Sequence, residues 1–218
     1  MAKKKTSTKA IEDALTEPPM KLWGVPPRDQ LLKTGSTLLD LAITGDRRGG
    51  FAKGKYFWMV GDSSSGKTFL TLTCLAEACI NPKFDDYNII YDNAEDGALM
   101  DFRKYFGPKM ASRIRTPGPN NTFSDDIDDF YFYLDDWFKQ DRPFIYLLDS
   151  MDALTTKYSE AKFKKKKNAR RKGTKAKGDF RDGKAKLNST RIKSVIQALK
   201  ASGSILVVLS QTRDNIDA

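Results

Sequence analysis

Gly61-Asp62-Ser63-Ser64-Ser65-Gly66-Lys67-Thr68 satisfies the pattern G-x-x-x-x-G-K-[ST] in full, and it stands between an apolar run and a helix-length stretch. Few folds can use such a segment. Gly61 and Gly66 let the chain turn tightly and bring backbone close to a bound group with no Cβ in the way. Successive N–H groups then face outward at the positive end of the next helix, which suits a phosphate. Lys67 adds a full positive charge at the phosphates, and the Thr68 hydroxyl suits Mg2+. The plainer reading is a glycine turn. The flanks argue against it: Lys55–Val60 reads as a buried strand, and Thr68–Ile80 as a helix halted by Asn81-Pro82.

The rest of the chain repeats that alternation. Strands are predicted over 87–91, 144–148 and 205–209, with a short edge strand over 112–116. Helices are predicted over 97–106 and 190–201, and after Ser124, which is placed to cap the next helix with Asp125 and Asp126 at its positive end. In that helix Ile127, Phe130, Tyr131, Leu134, Trp137 and Phe138 recur at helical spacing, which reads as a core face rather than a stacking platform. Residues 34–43 read as a short capped helix, with Ser36 or Thr37 as cap and Leu38, Leu39 and Ile43 facing inward. Strands alternating with helices imply an α/β fold: a mostly parallel central sheet with helices on both faces.

Two more carboxylate elements follow the phosphate loop. The apolar strand Phe144–Leu148 ends in Asp149-Ser150, which presents a carboxylate at the strand's carboxyl edge, beside a metal. The plainer reading is a capping Asp. The strand at 87–91 runs into Asp92-Asn93-Ala94-Glu95-Asp96. Hydrolysis needs a carboxylate that orients or deprotonates water at the γ-phosphate. Spacing alone leaves Asp92, Glu95 and Asp96 in competition. Gln211, after the last strand, is placed to sense a γ-phosphate or to lie on the surface.

The order of these motifs resembles the RecA recombinase family. Leu32–Asp40 is similar to its TGS-x-x-LD segment, Gly61–Thr68 to its phosphate loop, and Asn93-Ala94-Glu95 to its D-A-E segment. Asp149–Leu154 is similar to its D-S-x-x-A-L segment, and Ser210–Arg213 to its N-Q-x-R element. The resemblance implies a RecA-like P-loop NTPase core that binds ATP and Mg2+ between protomers. It implies Glu95 as the catalytic glutamate beside Lys67, Thr68 and Asp149 at the metal, and Gln211 as the residue that couples nucleotide to DNA. Phe102 falls near the aromatic position at the adenine. The resemblance further implies filaments on single-stranded DNA in homologous recombination and repair. RadA-like, KaiC-like and replicative-helicase cores share most of this plan, and a non-hydrolysing, ATP-gated DNA-binding mediator would carry the same binding motifs. The family's core continues past the N-Q-x-R element, whereas this sequence ends at Ala218, as a fragment or a reduced relative would.

Charge distribution adds a partner. The chain carries a formal net charge of +10, yet residues 157–193 alone hold 16 Lys or Arg against three acids, so the remainder is mildly acidic. The segment at about 157–188 lacks apolar periodicity and reads as a mobile basic insertion after Asp149. Lys164, Lys165, Lys166, Lys167, Arg170, Arg171 and Lys172 are its candidate DNA contacts, through sequence-independent, salt-sensitive phosphate binding. A solvated insertion without a ligand is the plainer alternative. Residues 1–28, broken by Pro18-Pro19 and Pro26-Pro27, read as an N-terminal arm, and 29–218 as the core. With no histidine, zinc clusters of the histidine type and His-based triads are excluded. Cys74 and Cys79 do not share a helix face, which argues against a disulfide and for a reduced, cytoplasmic setting.

Overall fold

A computed structural model describes residues 26–171 and 183–212. The expected arm lies outside the described residues except for its last three positions. Strand β1 (Leu31–Leu32) pairs antiparallel with β2 (Phe51–Ala52) beside helix α1 (Thr37–Thr44). The main sheet holds β3 (Tyr56–Gly61), β4 (Asn88–Asp92), β5 (Ile114–Arg115), β6 (Phe144–Leu148) and β7 (Ile205–Gln211). Its order is β3-β7-β6-β4-β5, and every neighbouring pair is parallel. The connections carry α2 (Lys67–Ile80), α3 (Phe102–Phe106), α4 (Pro108–Arg113), α5 (Ile127–Phe138), α6 (Lys157–Arg171) and α7 (Gly183–Ser202). The α/β class expected from the alternation is therefore what the chain forms.

Strand alternation sorts the core into two layers. Ile89, Tyr91, Ile145, Leu147, Val207 and Leu209 meet Leu72, Leu75 and Ala78 of α2 on one face. Ile90, Phe144, Tyr146, Leu148, Leu206 and Val208 meet Phe130 and Leu134 of α5 and Leu199 of α7 on the other. The apolar stripe of α5 is a core face, as its period requires.

Four local expectations are corrected. In α1, Ser36 is the cap, but Leu38 is 80% exposed and Ile43 is also exposed. The helix is fixed instead through Asp40, which is buried and accepts from Thr34 N at 2.9 Å. Asp126, not Ser124, caps α5: it accepts from the N–H groups of Asp128 and Asp129, while Asp129 accepts in return from Asp126 N. The 97–106 helix shortens to α3 because Asp101 caps it, accepting from Arg103 N and Lys104 N. The basic segment is helical rather than irregular at both ends. It forms α6, and α7 starts at Gly183 instead of Thr190. Leu187 and Asn188 explain the longer α7: Leu187 packs on the α5-side core, and Asn188 accepts from Tyr131 Oη at 2.8 Å.

Arg113 ties the α2–β4 connection together. Its Nη1 donates to Cys79 O at 3.1 Å, and its Nη2 donates to Phe84 O at 2.7 Å and Tyr87 O at 3.1 Å. These carbonyls include the end of α2, where helical partners run out. Arg113→Met keeps the apolar stem and strands those acceptors. It is expected to cost about 2–3 kcal/mol, the usual range for charge-assisted bonds. A lower urea midpoint with an unchanged m-value is the check; an unmoved midpoint would refute the strap.

Candidate phosphate- and metal-binding site

Strand β3 ends at Gly61, the loop turns, and α2 begins at Lys67. The turn is left-handed at two points, Ser64 with φ +61° and Gly66 with φ +87°. Space around Gly66 is open, so its demand for glycine is conformational. Gly61 is glycine for a different reason: a Cβ there would lie 3.1 Å from Ser65 Oγ and against the stem of Lys67. The first N–H groups of α2 have no intrahelical partner and form a donor set for an anion. Lys67 Nζ donates to Gly61 O at 2.7 Å and to Asp62 O at 2.6 Å, so its charge lies over the loop's own backbone. Asp62, Ser63, Ser64 and Ser65 complete the loop.

The neighbouring strands deliver their carboxyl ends to this loop, as parallel α/β sheets do. Thr68 Oγ1 donates to Asp149 Oδ2 at 2.9 Å, joining the start of α2 to the end of β6. Tyr91 Oη of β4 donates to the same Oδ2 at 3.1 Å. Asp149 is buried, and burial pushes its carboxyl above the ordinary carboxylate range. The bonds from Thr68 and Tyr91 oppose that shift, the charge of Glu95 adds to it, and Lys67 lowers it. The Asp149–Ser150 peptide is cis.

Contacts distinguish the three carboxylates at and just after the end of β4. Asp92 is fully buried and saturated: it accepts from Ser124 N at 3.0 Å, Ser124 Oγ at 2.6 Å and Tyr146 Oη at 2.7 Å. It is part of the core. Glu95 is exposed beside the loop, with its N–H donating to Asp149 O at 2.9 Å. Its Oε1 accepts from Gln211 Nε2 at 2.9 Å, so the ends of β4, β6 and β7 meet at this residue. Asp96 is also exposed and stands in a left-handed turn.

Several of these partners were not singled out by sequence reasoning. Asp152 Oδ2 accepts from Ser210 Oγ at 2.6 Å and Gln211 N at 2.8 Å, which fixes the backbone under Gln211. Thr212 donates from N to Gly61 O at 3.3 Å and from Oγ1 to Asp62 Oδ1, closing β7 onto the loop. Both lie within quoted motifs, whose pattern marked other positions. Tyr91 carried no signal beyond being aromatic at the end of a buried strand.

Phe102 is not brought to the loop directly. Its ring packs on Tyr91 at 5.9 Å and Phe106 at 6.2 Å, and Phe106 in turn meets Phe69 of α2 at 5.5 Å. It also lines a groove of about 670 Å³ at the β5 edge, with Arg115, Phe123, Tyr133 and Trp137. The basic candidates Lys164, Lys165, Lys166, Lys167, Arg170 and Arg171 lie on α6, where the side chains of Lys165, Lys167 and Arg171 are exposed. Lys172 lies outside the described residues.

The donor set fits Mg2+ held jointly with a nucleotide. Among the described residues no cluster of three or more His, Cys, Asp or Glu could hold a metal by itself. Mg2+ does not need one, since it keeps waters and takes one or two protein oxygens plus phosphate oxygens. Both cysteines are free and buried, and no helix among the described residues is long and apolar enough to cross a membrane.

No protein-family sequence profile matches this chain, and no curated protein matches it in sequence. Solved structures do match. One is the crystal structure of the RadB recombinase, which superposes with a TM-score of 0.55 at 16% identity and covers 86% of this chain and 73% of that one. The fold is RecA-like.

Burial also raises the carboxyl of Asp92; the Ser124 and Tyr146 bonds lower it, and the charge of Asp129 raises it. Between the unfolded value near 3.8 and the raised folded value, the folded state therefore holds more proton than the unfolded chain. Stability contributed by this group falls as pH rises through that window. Asp92→Asn removes the titration, so the stability difference between parent and variant should narrow from pH 4 to pH 7. Urea midpoints across that range decide it; a difference independent of pH would contradict the assignment.

Proposed function

We propose that this chain is an ATP- and Mg2+-dependent, DNA-binding ATPase of recombination and repair that assembles on single-stranded DNA. The observation that carries the reading is the convergence of Glu95, Gln211, Thr68 and Asp149 on the phosphate loop. The RecA-like fold supports it, and so does the name of the RadB recombinase, a protein of like fold.

Each group then has a task. Gly61 through Gly66 and the first turn of α2 bind the phosphates through backbone N–H groups, and Lys67 balances their charge. Thr68 and Asp149 hold Mg2+, which when bound neutralises charge on the phosphate oxygens. Glu95 orients the attacking water and takes its proton. Gln211 holds Glu95 and changes partner when a γ-phosphate is present. Phe102, linked to α2 through Phe106 and Phe69, is the candidate for the adenine side. Exposed cations of α6 contact DNA phosphates, and the chain works in an intracellular setting.

ATP hydrolysis by the purified protein, with and without single-stranded DNA, tests this directly. Turnover should rise with DNA, and Glu95→Gln should lower it at least about 100-fold, the scale of a lost general base, while nucleotide binding persists. Binding without turnover in the parent would favour a non-hydrolysing mediator instead. The DNA contacts have their own test. Replacing Lys165, Lys167 and Arg171 together by Ala should weaken binding to every single-stranded sequence alike. The slope of log K against log salt should become shallower by about 2, at about 0.7 per phosphate contact. An unchanged slope would remove α6 from the interface.

A further inference from the structure

Tyr91 spends its hydroxyl in an unusual place. It is 4% exposed on a strand whose five residues are all buried, and its ring lies in the α2-side core, edge-on to Phe102. Packing alone would be served by phenylalanine. The phenol oxygen lies 3.1 Å from Asp149 Oδ2 and 3.1 Å from Asn93 Oδ1. It has one proton to give, and the carboxylate is the stronger acceptor of the two.

Asp149 Oδ2 therefore accepts two hydroxyl protons, one from Thr68 at 2.9 Å and one from Tyr91. The two donors differ in rigidity. Thr68 belongs to the loop-proximal turn of α2, at the surface where ligands arrive. Tyr91 is anchored in the sheet, with its backbone in register opposite Leu147 of β6, two residues before Asp149. A short carboxylate with one hydrogen bond can still rotate about its Cβ–Cγ bond. A second donor from a fixed direction to the same oxygen removes that freedom. Thr68 is thereby kept with its proton on Asp149 and its lone pairs available to a cation.

We propose that Tyr91 is a positioning residue for the Mg2+ site: its hydroxyl sets the orientation of Asp149 and, through Asp149, of the Thr68 hydroxyl. This rests on the reading of Thr68 and Asp149 as metal-holding groups given above. Groups that orient the ligands of a metal commonly govern its affinity by 10–100-fold.

The test is Tyr91→Phe, which keeps the ring and removes one oxygen. Binding of a fluorescent ADP analogue is titrated with Mg2+, so the readout is metal-dependent affinity rather than turnover. The half-saturating Mg2+ concentration should rise roughly tenfold, with affinity in the absence of Mg2+ unchanged. Tyr87→Phe is the control: it removes a partly buried hydroxyl just before the same strand, one that donates to Gly203 O at 3.1 Å. It should leave the Mg2+ requirement where it is. An unmoved requirement in Tyr91→Phe, or an equal shift in both variants, overturns the positioning role while the metal site stands. A parent protein whose nucleotide affinity ignores Mg2+ overturns the metal site itself, and this inference with it.

Discussion

A carboxylate removed from water must be hydrogen-bonded or neutralised, and the arrangement around Asp149 follows from that requirement. Its position at the end of β6, the strand between β7 and β4, leaves it little water. Thr68 and Tyr91 supply the side-chain donors, and the backbone on either side of it is bonded as well, from Glu95 N to Asp149 O and from Asp149 N to Asp92 O. Satisfying this one group fixes the start of α2 against β6 and the loop after β4 against both. The phosphate loop inherits its position from those bonds.

The same edge separates two kinds of acid. Asp92 and Glu95 are three residues apart, yet one is sealed in the core and the other faces solvent. The difference comes from Ser124 and Tyr146, which supply Asp92 with all the donors it needs. Among the described residues Glu95 takes one side-chain hydrogen bond, from Gln211. Under the proposed reading, a group that acts on water must keep such freedom, whereas a group that holds a strand end must not.

What the sequence made legible was local. The phosphate loop could be read because its pattern encodes backbone conformation: Gly66 is left-handed, and a Cβ at Gly61 would crowd Ser65 Oγ at 3.1 Å. Strands β4, β6 and β7 could be read because they are buried on both faces and so nearly unbroken in apolar residues, whereas β3, expected to be buried, is an edge strand with Trp58 and Val60 exposed. Partners set by tertiary contact were not legible. Ser124 looked like a helix cap because it precedes a helix, but its hydroxyl serves Asp92, and Asp126 caps instead. Leu38 and Ile43 looked like a core face because they are apolar at helical spacing, but α1 is attached through the buried Asp40. The first turns of α7 carried no legible apolar period because lysines mask it, yet Leu187, Asn188 and Lys184, which donates to Leu154 O at 2.8 Å, dock them.

Under the proposed reading, nucleotide and DNA sites must share a mechanical element if one is to report on the other, and Asp152 is the candidate for it. Its Oδ2 holds Ser210 Oγ and Gln211 N, so the end of β7 that carries Gln211 is fastened to the chain just after β6. Five residues beyond Asp152, α6 begins at Lys157, and its cations are the proposed DNA contacts. A shift of Gln211 from Glu95 toward a γ-phosphate would pull on Asp152 and thus on the root of α6. The reverse also holds by linkage: DNA that fixes α6 would bias Gln211, and with it the freedom of Glu95 to act on water.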